Sequence, residues 1–298
     1  MNASFEKYGV VAGAELRRLK LVLRRKLDQE MLGNYRSAFR GQGLQFADLR
    51  PYVPGDEIKR IHWKASARTG HIFVKSFEES RQAKVLCCVD TSASMLQGAQ
   101  KSKSQLARDF AALVSIVATS QGDAAGLCLF SDTIENWIPC AQRRAQSLRI
   151  LNALCGVDGT RKKSDMSHSL FEVAKRLKTK HLICIISDFH TPDFEMSLRV
   201  LCKKHEVVFV FVEDLIEAEI PAVGLCQFRD LESGSYVEVD LGSPAVRRAL
   251  AHSFSQHKLK MQEKAHRLGA DFMAFNQNPA QALARLMARR ASTKQRLG

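Results

Sequence analysis

Four short runs, residues 84–89, 125–130, 182–187 and 207–212, limit the fold more than anything else in this chain. Almost no polar residue interrupts them, so neither face of the strands they predict is suited to water. Antiparallel sheets with one wet face alternate polar and apolar residues. Strands that are apolar on both faces belong to parallel sheets covered by helices on each side. Between the runs, residues 105–120, 145–154, 165–177 and 193–203 space their apolar residues at helical intervals. Strand and helix in alternation predict an α/β fold with a central parallel sheet flanked by helices from residue 83 onward. Thr191-Pro192 reads as an N-cap with proline at the first helical position, and Gly122 as a helix stop.

The flanking segments read as follows. Residues 133–138 predict an edge strand, and 227–241 a hairpin with Ser233-Gly234-Ser235 at its tip. Ser243-Pro244 opens a helix to about His266, and 271–275 predicts a last short strand. Asn278-Pro279 opens a final helix ending near Arg290, which closes this domain (83–290) and leaves 291–298 as a frayed tail. At the other end, residues 1–33 predict a basic N-terminal helix with Leu16, Leu19, Leu23 and Leu27 on one stripe. Residues 34–82, rich in turns such as Pro54-Gly55-Asp56 and Thr69-Gly70, predict a small β-rich element of short strands.

Composition narrows the function classes. No apolar run approaches the roughly 20 residues of a membrane span, and the N-terminus lacks a secretory leader pattern, so a cytoplasmic protein is expected. Eight cysteines form no C-x-x-C pair and several lie in the apolar runs, which predicts reduced, buried thiols. The net charge is +14, and its excess lies in residues 1–82 and 244–298, while 83–243 is slightly acidic. Basic ends of this kind suit either solvated helix faces or an anionic partner such as nucleic acid. Aromatics are not interleaved with the cations, which disfavours single-strand binding.

Chemistry concentrates where the apolar runs stop. Asp90, Ser92 and Ser94 follow the first run at a spacing of two, and Asp188 follows another run directly. In an open α/β sheet, ligands bind beyond the carboxyl ends of the strands. Oxygen-only donors suit a hard ion, Mg²⁺ or Mn²⁺. Two neutral hydroxyls as direct ligands, with the carboxylates acting mostly through water, leave such an ion short of negative charge. An incoming protein carboxylate can supply it. The plainer alternative is a strand-to-helix turn with a capping side chain. The chain carries no G-x-S-x-G, H-E-x-x-H, Walker or dinucleotide fingerprint. A binding device rather than an enzyme is expected.

Asp90-Thr91-Ser92-Ala93-Ser94 resembles the metal-ion-dependent adhesion site (MIDAS) of von Willebrand factor type A domains, and the alternation after residue 83 is similar to their Rossmann-like fold. Phe39 to Phe46, Leu49 to Asp56 and Arg60 to Gly70 resemble the signature of the bacterial domain-of-unknown-function-58 family. The resemblance implies metal ligands Asp90, Ser92, Ser94 and Asp188, with a middle ligand from a Gly-Thr-Asp turn. Here that turn is split by Arg161-Lys162-Lys163: Thr160 keeps the Gly-Thr, while Ser164 has the right distance from Leu170. Ser164 is the preferred reading and Thr160 the alternative. The resemblance also implies a partner, a MoxR-type AAA+ ATPase that assembles or activates protein complexes. A rival expectation is nucleic-acid or anionic-surface binding through the basic ends. His62, Trp63, Lys64 and Arg68 lie in the signature and suit either a contact surface for a partner or an aromatic packing the small element onto the main domain with solvated flanking cations; packing is the preferred reading for Trp63, and both stay open for Lys64 and Arg68.

Overall fold

The computed structural model describes residues 44–79, 82–98, 101–143, 145–157, 165–218, 220–229 and 235–297. Residues 1–33, Thr160 and Ser164 lie outside them. The chain divides into two units, Arg40–Ala83 forming the smaller and the residues from Lys84 onward building the larger.

In the smaller unit, β1 (Leu44–Pro51) and β2 (Phe73–Glu79) pair antiparallel with a register shift between Phe46 and Asp48. The turn at Pro54-Gly55 is pinned by Asp56, which pairs with Arg50 at 2.5 Å and accepts the Val53 N–H at 3.0 Å. Gly55 has φ 110°, where a side chain would be strained. The unit is less purely β than its sequence suggests, because α1 (Trp63–Thr69) stands between the strands. His62 caps it, its Nδ1 accepting the Ala65 N–H at 3.0 Å, and Gly70 stops it at φ 74°. Trp63 is 65% exposed.

The larger unit is built on six strands: β3 (Lys84–Asp90), β4 (Ala124–Phe130), β5 (Ile134–Ala141), β6 (Leu182–Ser187), β7 (Glu206–Val212) and β10 (Asp271–Phe275). Their order is β10-β7-β6-β3-β4-β5, with only the edge strand β5 antiparallel to its neighbour. Counted along the sheet's own strands this is 3-2-1-4-5-6, the doubly wound order. Such a sheet reverses direction of winding between its first and fourth strands, here β3 and β6. Separate from it, β8 (Leu225–Arg229) and β9 (Tyr236–Asp240) form a hairpin.

Helices cover both faces: α2 (Lys103–Ser120), α3 (Gln146–Cys155), α4 (Met166–Arg176), α5 (Glu195–Lys204), the short α6 (Leu215–Ala218), α7 (Pro244–Arg267) and α8 (Pro279–Leu297). Leu86, Ile183, Ile185, Phe209 and Phe194 form a dry cluster with Leu170 and Leu198 of the helices. Each such side chain contributes about 1.5–3 kcal/mol by burial. The helix expected from Thr191-Pro192 begins later, at Glu195. Asp193 Oδ1 accepts the Glu195 N–H at 3.0 Å, and Phe194 is drawn into the core ahead of the first turn. The final helix continues through the expected tail to Leu297, since Ala291, Lys294, Gln295 and Arg296 are good helix formers.

All eight cysteines are free thiols. Cys87 lies opposite Cys184, and Cys88 opposite Cys128, in neighbouring strands. Hydrogen bonding to Cys184, then burial, raises the Cys87 pKa well above its ordinary value, so this thiol stays protonated. Among the described residues, no helix is long and apolar enough to cross a membrane.

Candidate metal and docking site

The winding reversal falls between β3 and β6, and both expected carboxylates are buried at the carboxyl ends of these strands, Asp90 as the last residue of β3 and Asp188 directly after β6. Val89 pairs with Ile186, which sets Asp90 beside Ser187. Asp90 is 1% exposed. Its Oδ1 accepts the Ser92 N–H at 2.8 Å, and its Oδ2 accepts the Ser187 hydroxyl at 2.6 Å. Those two bonds fix its rotamer. Thr91 turns away: its N–H and its hydroxyl both donate to Phe130 O at 2.8 Å, tying the loop to β4. Ser92 is the N-cap residue of a short 3-10 turn, Ala93–Leu96, which brings Ser94 back beside it, their Oγ atoms 3.2 Å apart.

Asp188 comes from the other strand. Its Oδ1 accepts the Ser94 hydroxyl and the His190 N–H, both at 3.2 Å. Phe189 makes this turn at φ 55°, the sole positive-φ non-glycine among the described residues. A bulky residue there is strained by roughly 1–3 kcal/mol. The ring offsets the strain by stacking on Phe194, Phe209 and Phe211 at centroid distances of 5.9, 5.1 and 6.0 Å. Its N–H is held by Ser187 Oγ at 2.8 Å. His257 of α7 reaches the Asp188 carbonyl with Nε2 at 3.0 Å and stacks on His190 at 4.1 Å.

Three further residues complete the site, and the sequence reading missed them. Ser187 locks Asp90. Lys103, the first residue of α2, is 2% exposed; its Nζ lies 3.2 Å from Asp188 Oδ2 and pairs also with Glu217 of α6. A lysine in the first turn of a helix opposes the helix dipole, and that mismatch was the available signal for a buried acidic partner. Burial pulls the Lys103 pKa down, but Asp188 and Glu217 outweigh it and hold it above its ordinary value. Burial raises Glu217. Burial, then Asp188, pushes Asp90 up to about 6 against the donated hydrogen bonds.

The residues present fit a hard cation. Ser92 Oγ, Ser94 Oγ and Asp188 Oδ1 form a row with both steps at 3.2 Å. Neighbouring ligands of an octahedral Mg²⁺ lie about 2.9 Å apart, so little rearrangement separates this row from a coordinating one. Hydroxyls make up half of the donor set, and no group of three His, Cys, Asp or Glu suited to a metal exists among the described residues. The Asp165 N–H donates to Ser131 O at 3.2 Å just beyond β4. Asp165 itself caps α4 through the His168 N–H at 3.0 Å.

Comparison with known proteins places these features in context. The sequence profile of the family described as "Protein of unknown function DUF58" matches residues 48–260. Uncharacterized proteins of Mycobacterium bovis and Mycobacterium tuberculosis are each 27% identical over 271 residues, covering 88% of this chain and 84% of their own. An aerotolerance-related membrane protein from Bacteroides fragilis superposes with a TM-score of 0.48 at 15% identity, over 71% of this chain and 99% of that one. A von Willebrand factor type A structure from Catenulispora acidiphila gives a TM-score of 0.39 at 10% identity, over 72% and 44%.

Proposed function

The chain belongs to the DUF58 family, and from the site on its von Willebrand type A sheet we propose that it is a protein-interaction module that docks its partner through a divalent cation. Asp90, Ser92, Ser94 and Asp188 would hold Mg²⁺ or Mn²⁺, with Ser164, or Thr160 in its place, as the remaining hydroxyl. When bound, the ion supplies an electrophilic centre for a carboxylate of the partner. The partner class that the family resemblance supports is a MoxR-type AAA+ ATPase, with this chain coupling that machine to the complex it assembles or activates. The observation that carries the reading is the 3.2 Å row of two hydroxyls and one carboxylate oxygen at the winding reversal.

Binding suits this site better than catalysis. Both oxygens of Asp90 and both of Asp188 already accept hydrogen bonds from the protein. Neither is poised to take a proton from a substrate. The test is titration calorimetry with Mg²⁺ and Mn²⁺, together with capture of a MoxR-type ATPase in the presence and absence of a chelator. Saturable heats in the wild type that vanish in Asp90→Ala, and capture lost on chelation, are expected. Equal heats in both proteins would overturn the metal site, and chelator-insensitive capture would overturn its role in docking.

A further inference from the structure

Lys103 has no part in a site designed only to hold a divalent ion. A buried ammonium 3.2 Å from Asp188 Oδ2 is a cation already seated on one of the two carboxylates. It is tethered to the first residue of α2, whose N–H is fixed on Gln97 O at 2.8 Å, so it cannot diffuse away. It does have a second seat. Glu217 pairs with the same ammonium, and its side chain is 15% exposed where those of Lys103 and Asp188 are 2% and 1%. Glu217 is thus the member of the triad that reaches the rim. Its Oε2 also accepts the Asp214 N–H at 3.3 Å, which anchors it to the start of the short α6.

We infer that Lys103 is a tethered counter-cation that competes with the divalent ion for Asp188 and sets how much negative charge a partner must bring. This rests on the cation-dependent docking proposed above and specifies its regulation. With Lys103 on Asp188, the carboxylates stay assembled without any ion. With Lys103 drawn onto Glu217, Asp188 is released for coordination. Like charges confined in poorly screened surroundings repel strongly, so the resting site binds the ion weakly. An arriving carboxylate restores the balance, and ion and partner then strengthen each other by the same factor. Glu217, at the rim, is the residue through which a partner's own cation would shift the balance the other way.

The test uses the full chain and Mn²⁺ alone, read by the loss of the free-Mn²⁺ electron paramagnetic resonance signal, with thermal unfolding in parallel. Lys103→Met removes the competitor and is expected to tighten Mn²⁺ binding at least about tenfold. Glu217→Gln removes the second seat, confines the ammonium to Asp188, and is expected to weaken binding. These opposite shifts from two partners in one ion pair are the signature of competition. If both variants bind as the wild type does, Lys103 is a structural counter-ion only and the inference fails while the cation site stands. If none of the three binds Mn²⁺, both fail. Should Lys103→Met not fold, Glu217→Gln decides alone, and unchanged affinity in it overturns the inference.

Discussion

The two ends of the central sheet handle charge in opposite ways. At the amino ends of the strands, Glu206 opens β7 and Asp271 opens β10. Arg290 of α8 binds both, with Asp271 at 2.7 Å, and Lys180 reaches Glu206 at 2.9 Å. Lys84 at the start of β3 donates to Thr179 at 3.0 Å. That end is closed: its acids are matched by cations. At the carboxyl ends, Asp188 and Glu217 share Lys103, and Asp90 is held by the Ser92 N–H and the Ser187 hydroxyl without an ion-pair partner among the described residues. The same sheet therefore has a finished end and an end with surplus negative charge and aligned hydroxyls. Surplus charge in a dry site is unfavourable to the fold by itself. The cation proposed above would offset it.

Perturbing the two ends separately sharpens this contrast. The largest effect is expected from Asp188→Ala. It strands Lys103 with Glu217 alone and removes the acceptor of Ser94 and His190, so urea denaturation should show a loss of about 3–5 kcal/mol. Arg290→Met at the closed end should lose less, about 1–2 kcal/mol, since Glu206 and Asp271 are partly exposed and screened. Crucially, its stability should respond to Mg²⁺ as the wild type does. A closed-end variant that lost the Mg²⁺ response would break the division between the ends.

Added Mg²⁺ is expected to stabilise the wild type by about 1–3 kcal/mol at concentrations well above its dissociation constant, read as a rise in melting temperature. Asp188→Ala should show no rise. Acid probes the closed end. Burial, then His181, lowers the His205 pKa to about 4, and its Nδ1 accepts the His181 N–H at 3.3 Å. The unfolded chain protonates this histidine near 6.5 and the folded one only near 4, so the unfolded state binds the extra proton between them. Stability should fall as pH drops from about 6.5 to about 4, by on the order of 1 kcal/mol. His205→Asn keeps an acceptor without titrating, and denaturation at pH 7 and pH 5 should show a flatter dependence. An equal slope would place the acid sensitivity elsewhere.

The smallest effect is expected from the basic C-terminal helices. The rival reading assigns them to nucleic acid or an anionic surface. Several of their cations are already paired with acids of this chain: Lys258 with Glu213 at 2.8 Å, Arg267 with Glu195 at 2.7 Å, and the buried Arg290 with Asp271 at 2.7 Å. Duplex DNA should bind weakly and be lost by physiological salt in a filter-binding series. Tight binding with a steep salt slope and no need for metal would favour the rival.

The sequence carried the sheet more completely than the site. Strands β6 and β10 appear at the residues expected of them; β6 is an apolar run buried on both faces, and β10 is an edge strand that buries Phe272 and Phe275. α1 went unseen because none of its residues is buried, so it writes no apolar stripe, and histidine is an unusual cap. Asp90, Ser92 and Ser94 were legible from local spacing, and Asp188 from its place after a strand. Ser187, Lys103 and Glu217 were not, because their roles exist only through tertiary contacts; Lys103 lies 85 residues from Asp188 along the chain. Ser187 was hidden in plain view as the last residue of an apolar run, its hydroxyl spent on Asp90 and the strained turn at Phe189.

The most direct test of the open end is an Mn²⁺ anomalous difference map from crystals of the full chain. The account predicts a peak flanked by Ser92, Ser94 and Asp188 and absent in Asp90→Ala. A peak elsewhere, or none at millimolar Mn²⁺ with Lys103 still on Asp188, would contradict it.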